Sequence, residues 1–259
     1  MNDNPIGVFD SGMGGLSVWR ALYKALGNES LVYLGDGLNC PYGNRTRGEI
    51  CRFADEAVRI LLGRGCKLIV VACNTATAMA IDYLREKYPD IPFVGLEPAV
   101  KPACLTTRSG VVGVLATARS LEGDLFRHTA AKYAADVRIL TAVGEGFVEI
   151  VENDAEHLPE TEVIVRRVLQ PLLDGGADKI VLGCTHYPFL LPVMKRIVAG
   201  RQVDIIDSGE AVERRVEQLL DMHGLRADAG HRPAYEFVTF ADEDYRRRLE
   251  HKAFAAELD

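Results

Sequence analysis

Short apolar runs alternate with amphipathic stretches along most of the chain. Four runs in the first part have the length and apolar character of buried strands: IGVFD (6–10), SLVYLGD (30–36), KLIVVAC (67–73) and PFVGLE (92–97). Between them, segments such as LSVWRALYKAL place apolar residues at helical spacing. This alternation predicts successive βα units, and therefore a mainly parallel sheet with helices on both faces.

The pattern starts again with GVVGVLAT (110–117), and further strands are predicted at VRILTA, DKIVLGC and VDIIDS, with a helix over residues 159–174. The segments GVFDSGMGGLS and GVLATARSLEG open the two halves in the same way, 106 positions apart. Such internal similarity predicts an α/β fold made of two pseudo-symmetric domains.

The boundaries of these domains follow from the same pattern. We expect the chain to cross into the second domain near Pro98 and to return near Ser208, where the helical segment EAVERRVEQLLDMHG begins. The first domain is then discontinuous, with residues 1–97 plus 208–259, and the second comprises residues 98–207.

Two of the six cysteines occupy matching places in the two halves. Cys73 ends the run KLIVVAC, and Cys184 ends DKIVLGC 111 positions later; small hydroxyl or amide residues and a helical pattern follow each. Both thiols are expected at strand carboxyl ends beside helix N-termini, where free N–H groups favour a thiolate. Two such thiols predict a symmetric reaction in which one group takes a proton and the other gives one. The alternative is a pair of buried cysteines without chemistry.

Composition narrows the class of protein. The 259 residues are 48% apolar and 26% charged, which is ordinary for a globular protein, and the net charge of −7 argues against a nucleic-acid partner. No apolar run approaches the roughly 20 residues of a membrane span, and the first predicted strand begins at Ile6, so we expect a cytoplasmic protein without a signal peptide. No CxxC pair occurs, which argues against a zinc ribbon.

Several polar residues near the predicted strand ends have simple structural explanations. Asp10, Asn74, Thr75 and Thr185 stand where helix caps and turns are expected. Capping is compatible with ligand binding, because the free N–H groups of a helix N-terminus bind anions. A lone histidine such as His186 is more often structural than chemical.

Four motifs carry a resemblance to a known family: FDSGMGGLSV (9–18), CPYGNRT (40–46), ACNTAT (72–77) and GCTHYP (183–188). In this order and spacing they resemble glutamate racemase, of the cofactor-independent aspartate/glutamate racemase group. The resemblance implies two α/β domains with the active site in the cleft between them. It implies interconversion of L- and D-glutamate by two-base proton transfer, without pyridoxal phosphate or metal, to supply D-glutamate for peptidoglycan synthesis.

The resemblance also implies the roles of individual residues. Cys73 would remove the α-proton of D-glutamate with the help of Asp10, and Cys184 would remove that of L-glutamate with the help of His186 and Glu152. The residues implied to bind the substrate are Asp10, Ser11, Tyr42, Gly43, Asn74, Thr75, Thr117, Thr185 and His186. One departure concerns the family's further threonine after Thr117, where this chain has Ser120 as the nearest hydroxyl.

The implied partners are glutamate and, since the family commonly forms homodimers, a second copy of the chain. Three other functions stay open. An aspartate or hydantoin racemase would share the fold, although CPYG and GCTHYP favour glutamate. A non-catalytic amino-acid-binding module also suits two α/β domains around a cleft. A nucleic-acid-associated regulator is the third, since some family members inhibit DNA gyrase, and the net charge of −7 gives it no support.

Overall fold

The structure is a computed structural model, and it describes residues 2–133 and 135–255. The described chain folds into two compact units. The first comprises the residues up to Leu96 and those from Gly209 onward, and the second comprises Glu97–Ser208. Each unit is built around its own parallel sheet, which confirms the predicted α/β class.

Five parallel strands form the sheet of the first unit: β1 (Ile6–Asp10), β2 (Leu31–Gly35), β3 (Leu68–Val71), β4 (Phe93–Gly95) and β9 (Tyr235–Thr239). They lie in the order β4-β3-β1-β2-β9. Residues of β1, β2 and β3 are buried throughout, as expected for parallel strands that helices cover on both faces.

Five helices accompany this sheet: α1 (Leu16–Ala25), α2 (Arg47–Gly63), α3 (Asn74–Lys87), α10 (Gly209–Met222) and α11 (Glu243–Phe254). Local signals fix where they begin. A capping box starts α2, because Thr46 Oγ1 accepts the N–H of Glu49 at 3.3 Å and Glu49 Oε2 accepts the N–H of Thr46 at 2.9 Å. Apolar side chains of α2 and α3 join Phe9 and Val71 in one buried core.

Four parallel strands form the sheet of the second unit: β5 (Val111–Ala116), β6 (Arg138–Val143), β7 (Lys179–Gly183) and β8 (Asp204–Ile206). They lie in the order β6-β5-β7-β8. Six helices accompany them: α4 (Val100–Thr106), α5 (Ala118–Glu122), α6 (Asp124–Tyr133), α7 (Phe147–Glu152), α8 (Pro159–Asp174) and α9 (Leu191–Ile197). Pro159 begins α8 because proline fits the first helical turn.

The two sheets share one strand order, β4-β3-β1-β2 in the first unit and β8-β7-β5-β6 in the second. Gly7 in β1 and Gly113 in β5 occupy equivalent places. A Cβ would lie 2.8 Å from Cδ1 of Ile69 at Gly7, and 2.8 Å from Cδ1 of Ile180 at Gly113. Each glycine therefore leaves space for an isoleucine of the neighbouring strand, and the internal sequence similarity has a packing cause in both units.

The helices of residues 2–133 and 135–255 differ from membrane spans. None of them combines the length and the apolar character that crossing a lipid bilayer requires.

Candidate functional site

Cys73 caps the N-terminus of α3 in the first unit. Its backbone is extended, with φ −134° and ψ 115°, and its Sγ accepts the N–H of Ala76 at 3.4 Å. The thiol is also hydrogen-bonded to Ser11 Oγ at 3.5 Å, and the residue is only 5% exposed. A helix N-terminus stabilises negative charge on sulfur. The N-terminus of α3 therefore acts to stabilise negative charge on the Cys73 sulfur.

Asp10 is the last residue of β1 and lies fully buried below the loop that follows. Its Oδ2 accepts the N–H of Gly12 at 3.0 Å, while the Tyr33 hydroxyl donates to the Gly12 carbonyl at 2.6 Å. These two bonds hold the start of the loop from both sides. Because β1 and β3 are neighbours in the sheet, Asp10 and Cys73 lie at adjacent strand ends.

Asn74 and Thr75 are the first residues of α3, and both are buried. Within residues 2–133 and 135–255, Nδ2 of Asn74 has no hydrogen-bond acceptor. A buried donor without an acceptor costs about 1–3 kcal/mol. An anionic ligand at this helix N-terminus would remove that cost, so the Asn74 amide is a candidate donor to a carboxylate.

Tyr42 and Gly43 lie in a 3₁₀ turn, Tyr42–Asn44, of the same unit. The Tyr42 ring is buried, and its hydroxyl donates to Oδ2 of Asp36 at 2.6 Å. Burial, together with the nearby charge of Asp36, holds the pKa of Tyr42 well above its ordinary value, so the hydroxyl stays protonated. The Tyr42 hydroxyl thus donates to another side chain of the protein, and the binding of a substrate by Tyr42 and Gly43 stays a prediction.

Asp36 is a buried carboxylate that sequence reasoning missed. It follows β2 directly, and burial raises its pKa even though Tyr42 and Asn39 donate hydrogen bonds that act in the opposite direction. A carboxylate at the carboxyl end of a buried strand was the signal that drew attention to Asp10, and the same signal applies to Asp36.

Cys184 lies in a bend directly after β7 in the second unit and is 8% exposed. The helix predicted after it is interrupted: a 3₁₀ turn, Tyr187–Leu190, comes first and α9 follows. Pro192 lacks the N–H group that a continuous helix through this segment would need. The sequence predicted a helix N-terminus beside Cys184, and the structure has a 3₁₀ turn there, which begins three residues after the cysteine.

A histidine and a carboxylate support Cys184 instead. Nδ1 of His186 lies 3.8 Å from the Cys184 Sγ, and Nε2 lies 2.6 Å from Oε1 of Glu152, the last residue of α7. The His186 ring is buried, and the Glu152 side chain is mostly buried. With Glu152 accepting a hydrogen bond from Nε2–H, the imidazole faces the sulfur with Nδ1, where it can exchange a proton with the thiol. Three of the predicted residues, Cys184, His186 and Glu152, are thus connected in series by hydrogen bonds.

Thr117 caps α5 in the second unit. Its Oγ1 accepts the N–H of Ser120 at 3.2 Å and is hydrogen-bonded to the Ser120 hydroxyl at 2.9 Å. The hydroxyl of Ser120, the nearest one after Thr117 in the sequence, is therefore hydrogen-bonded to Thr117 itself. Thr185 is buried in the turn that follows Cys184.

Tyr187 is a second residue that sequence reasoning missed. Its buried ring packs edge-on against Phe147, with 5.2 Å between the ring centroids. Burial is the main cause that raises the pKa of Tyr187 well above its ordinary value, and the charge of the nearby Cys184 is the second cause.

Comparisons with known proteins agree with one another. The sequence profile of the Asp/Glu/hydantoin racemase family matches residues 6–216. The glutamate racemase of Roseiflexus sp. (strain RS-1) is 48% identical over 221 residues, which cover 85% of this chain and 81% of the relative.

Two solved structures extend this similarity to the whole fold. Glutamate racemase isoform RacE1 from Bacillus anthracis has a TM-score of 0.88 at 30% identity, with 100% of this chain and 97% of that chain covered. Glutamate racemase from Francisella tularensis, in complex with D-glutamate, has a TM-score of 0.84 at 28% identity, with 100% and 96% covered. The chain therefore belongs to the Asp/Glu/hydantoin racemase family, in its glutamate racemase group.

Proposed function

We propose that this chain interconverts L- and D-glutamate by proton transfer at two thiols, one from each unit. The matched placement of the thiols carries this proposal: Cys73 follows β3, and Cys184 follows β7, the equivalent strand of the second sheet. Each has its own polar support, a helix N-terminus for Cys73 and the His186–Glu152 pair for Cys184. The relatives named glutamate racemase support glutamate as the substrate.

The reaction balances without an oxidant, a reductant or a cofactor. The Cys73 thiolate takes the α-proton of D-glutamate, and the electron pair of the broken C–H bond stays on the α-carbon. The Cys184 thiol then donates its proton to the opposite face of that carbanion. The products are L-glutamate, a Cys73 thiol and a Cys184 thiolate, and L-glutamate reacts by the reverse sequence.

The α-proton of an amino-acid carboxylate is very weakly acidic, so the site has to stabilise the carbanion. Preorganised donors at the substrate carboxylate contribute several kcal/mol in comparable sites, on the order of 3–4 for one donor. We assign this role to the Asn74 amide, whose Nδ2 is buried without an acceptor among the described residues, and to the hydroxyls of Thr75 and Thr185. Asp10 is proposed to assist Cys73 and to hold the substrate ammonium.

The wider setting is part of the same proposal. The D-glutamate product would enter peptidoglycan synthesis, which places the enzyme in the cytoplasm. We expect a homodimer, and neither a membrane nor a nucleic acid as partner. Sedimentation velocity at several protein concentrations measures the oligomeric state directly.

The decisive experiment is a racemisation assay in heavy water on dialysed protein without added cofactor. We expect either glutamate enantiomer to reach an equal mixture, with solvent deuterium at the α-position of the product. Aspartate, run in parallel, should react far more slowly. An amino-acid-binding protein would leave the α-hydrogen in place, and preferential racemisation of aspartate would assign a different substrate.

A further inference from the structure

One buried carboxylate outside the predicted set, Asp36, holds the loop that contains Tyr42 and Gly43. We propose that Asp36 is a positioning residue for substrate binding, which fixes this loop through Tyr42 and Asn39 and thereby sets the KM for glutamate. The inference rests on the proposed function, because it concerns the same site.

Asp36 is anchored to the sheet before it reaches the loop. It follows β2 directly, and its backbone N–H donates to the carbonyl of Asp10 at 3.0 Å. The residue before it, Gly35, is paired with Asp10 in the register of β1 and β2. The Asp36 side chain therefore starts from a fixed point beside the strand end that carries Asp10.

The Asp36 carboxylate is bonded entirely to the loop that follows it. Oδ1 accepts the backbone N–H of Asn39 at 3.2 Å, both oxygens accept its Nδ2 at 3.0 Å, and Oδ2 accepts the Tyr42 hydroxyl at 2.6 Å. Among the described residues, no cation forms a salt bridge with it. A buried carboxylate without a cation is unfavourable unless hydrogen bonds satisfy it. Here those bonds exist only when the loop is ordered in this conformation.

Tyr42 connects this carboxylate to the wall of the Cys73 site. Its ring belongs to the same buried cluster as Phe9, Phe53 and Cys73, with centroid distances of 6.3 Å to Phe9 and 5.6 Å to Phe53. The 3₁₀ turn that begins at Tyr42 packs against α3, the helix that Cys73 caps. A shift of the Tyr42 ring would therefore move the backbone of the turn relative to the thiol.

The contacts of Asp36 differ from those of a catalytic residue. It is fully buried, and loop donors occupy both of its oxygens, so it acts on the substrate only through the residues that it holds. A misplaced loop weakens substrate binding in the ground state and transition state alike, which raises KM and leaves kcat nearly unchanged.

Two conservative variants test this inference, Tyr42→Phe and Asp36→Asn. Tyr42→Phe removes only the hydroxyl and keeps the ring and the backbone. We expect each variant to raise the KM for glutamate about tenfold, the size of one lost hydrogen bond to a charged group, with kcat within about twofold of the unmodified enzyme.

The matched control is Tyr88→Phe, which removes a similar bond in the same unit, from the Tyr88 hydroxyl to Oδ1 of Asp55 at 2.7 Å. It should leave KM unchanged, although it loses a bond of the same kind. The double variant Asp36→Asn/Tyr42→Phe should be no worse than the weaker-binding single variant, because both changes break one connection.

An unchanged KM in both single variants would overturn the inference, and so would effects that multiply in the double variant. A fall in kcat at constant KM would also overturn it, since that pattern belongs to a group acting in the transition state. If the unmodified protein fails to racemise glutamate, the proposed function fails before any variant is compared, so the two failures are distinguishable.

Discussion

The two thiols occupy equivalent strand ends, yet the surroundings of each sulfur differ. Cys73 caps a 14-residue helix and accepts a backbone N–H from Ala76, whereas Cys184 lies in a bend and faces the imidazole of His186, which Glu152 holds. A helix terminus carries a fixed partial charge, while an imidazole gains and loses a proton near neutral pH. The proposed two-thiol reaction would thus depend on a fixed helix-terminal charge at Cys73 and on a histidine hydrogen-bonded to a carboxylate at Cys184.

The amino ends of the two sheets differ in a parallel way. Lys67 and Asp178 stand six residues before Cys73 and Cys184, respectively, so they occupy equivalent places in the two units. Lys67 forms a buried ion pair with Glu29, with 2.6 Å between Nζ and Oε2. Asp178 accepts hydrogen bonds from the Thr107 hydroxyl and from two backbone N–H groups, and it forms an ion pair with Arg108, with 3.6 Å between Nε and Oδ2. The two units thus share a fold but differ in the polar contacts at the amino ends of their sheets.

The largest expected effect tests whether racemisation requires both thiols. Cys73→Ala and Cys184→Ala should each lower racemisation about 10⁴-fold, because each removes one of the two proton-transfer groups. The remaining thiol should still exchange one α-proton with heavy water, that of D-glutamate in Cys184→Ala and that of L-glutamate in Cys73→Ala. NMR of each enantiomer in heavy water measures this exchange.

The control for these variants is Cys104→Ala, which truncates a buried cysteine in the core of the second unit and should keep its activity. Racemisation by either Cys73→Ala or Cys184→Ala at close to the rate of the unmodified protein would reject the assignment of the two bases.

A smaller effect tests the asymmetry of the thiol surroundings. Glu152→Gln removes the carboxylate that holds His186, and we expect racemisation to fall about 10²-fold because proton transfer at Cys184 slows. The equilibrium constant of racemisation is 1, so kcat/KM falls equally in both directions. The asymmetry appears in isotope effects: the effect of α-deuterium should grow for L-glutamate and shrink for D-glutamate.

Glu149→Gln, which changes an exposed carboxylate one turn earlier in α7, is the control and should leave both isotope effects unchanged. Equal growth of the two isotope effects in Glu152→Gln would show that Glu152 does not act through Cys184 alone.

The sequence was sufficient to predict what repeats along the chain. Apolar runs located the strands, and the matched motifs located Cys73 and Cys184 at equivalent strand ends, because strand period and glycine positions are local properties. A helical pattern was predicted after Cys184, and the structure divides it into a 3₁₀ turn and α9, since Pro192 lacks the N–H group that a continuous helix would need. The short helix α4 was not predicted, as 7 residues carry little periodicity.

Contacts between distant positions were beyond the sequence pattern. The partner of His186 lies 34 residues earlier, and only the family resemblance suggested Glu152. The bond from Tyr42 to Asp36 spans 6 residues across a loop whose path no local rule fixes. Asp36 ends the predicted strand SLVYLGD, but its hydrogen bonds to Asn39 and Tyr42 depend on the path of the following loop, which the apolar pattern does not show.

The smallest expected effect concerns the amino end of the second sheet. Burial alone would raise the pKa of Asp178, but the Thr107 hydroxyl and the N–H groups of Arg108 and Ser109 lower it to about 2. An unfolded aspartate has a pKa of about 3.9, so the bonded carboxylate stabilises the folded chain fully above that pH, and the stabilisation is lost as the pH falls towards 2. Asp178→Asn should therefore reduce the free energy of unfolding by about 1–2 kcal/mol at pH 7 and by much less near pH 2.

Two spectroscopic signals can assign this loss of stability to the second unit, which contains Asp178. Trp19, the single tryptophan of the chain, lies in the first unit, whereas far-ultraviolet circular dichroism follows both units. Denaturant unfolding of Asp178→Asn should shift the circular dichroism transition and leave the Trp19 fluorescence midpoint unchanged. Asp174→Asn, at an exposed position of α8, is the control and should shift neither signal. A stability difference in Asp178→Asn that is independent of pH would contradict the prediction, because a lowered carboxyl pKa requires the difference to vanish in acid.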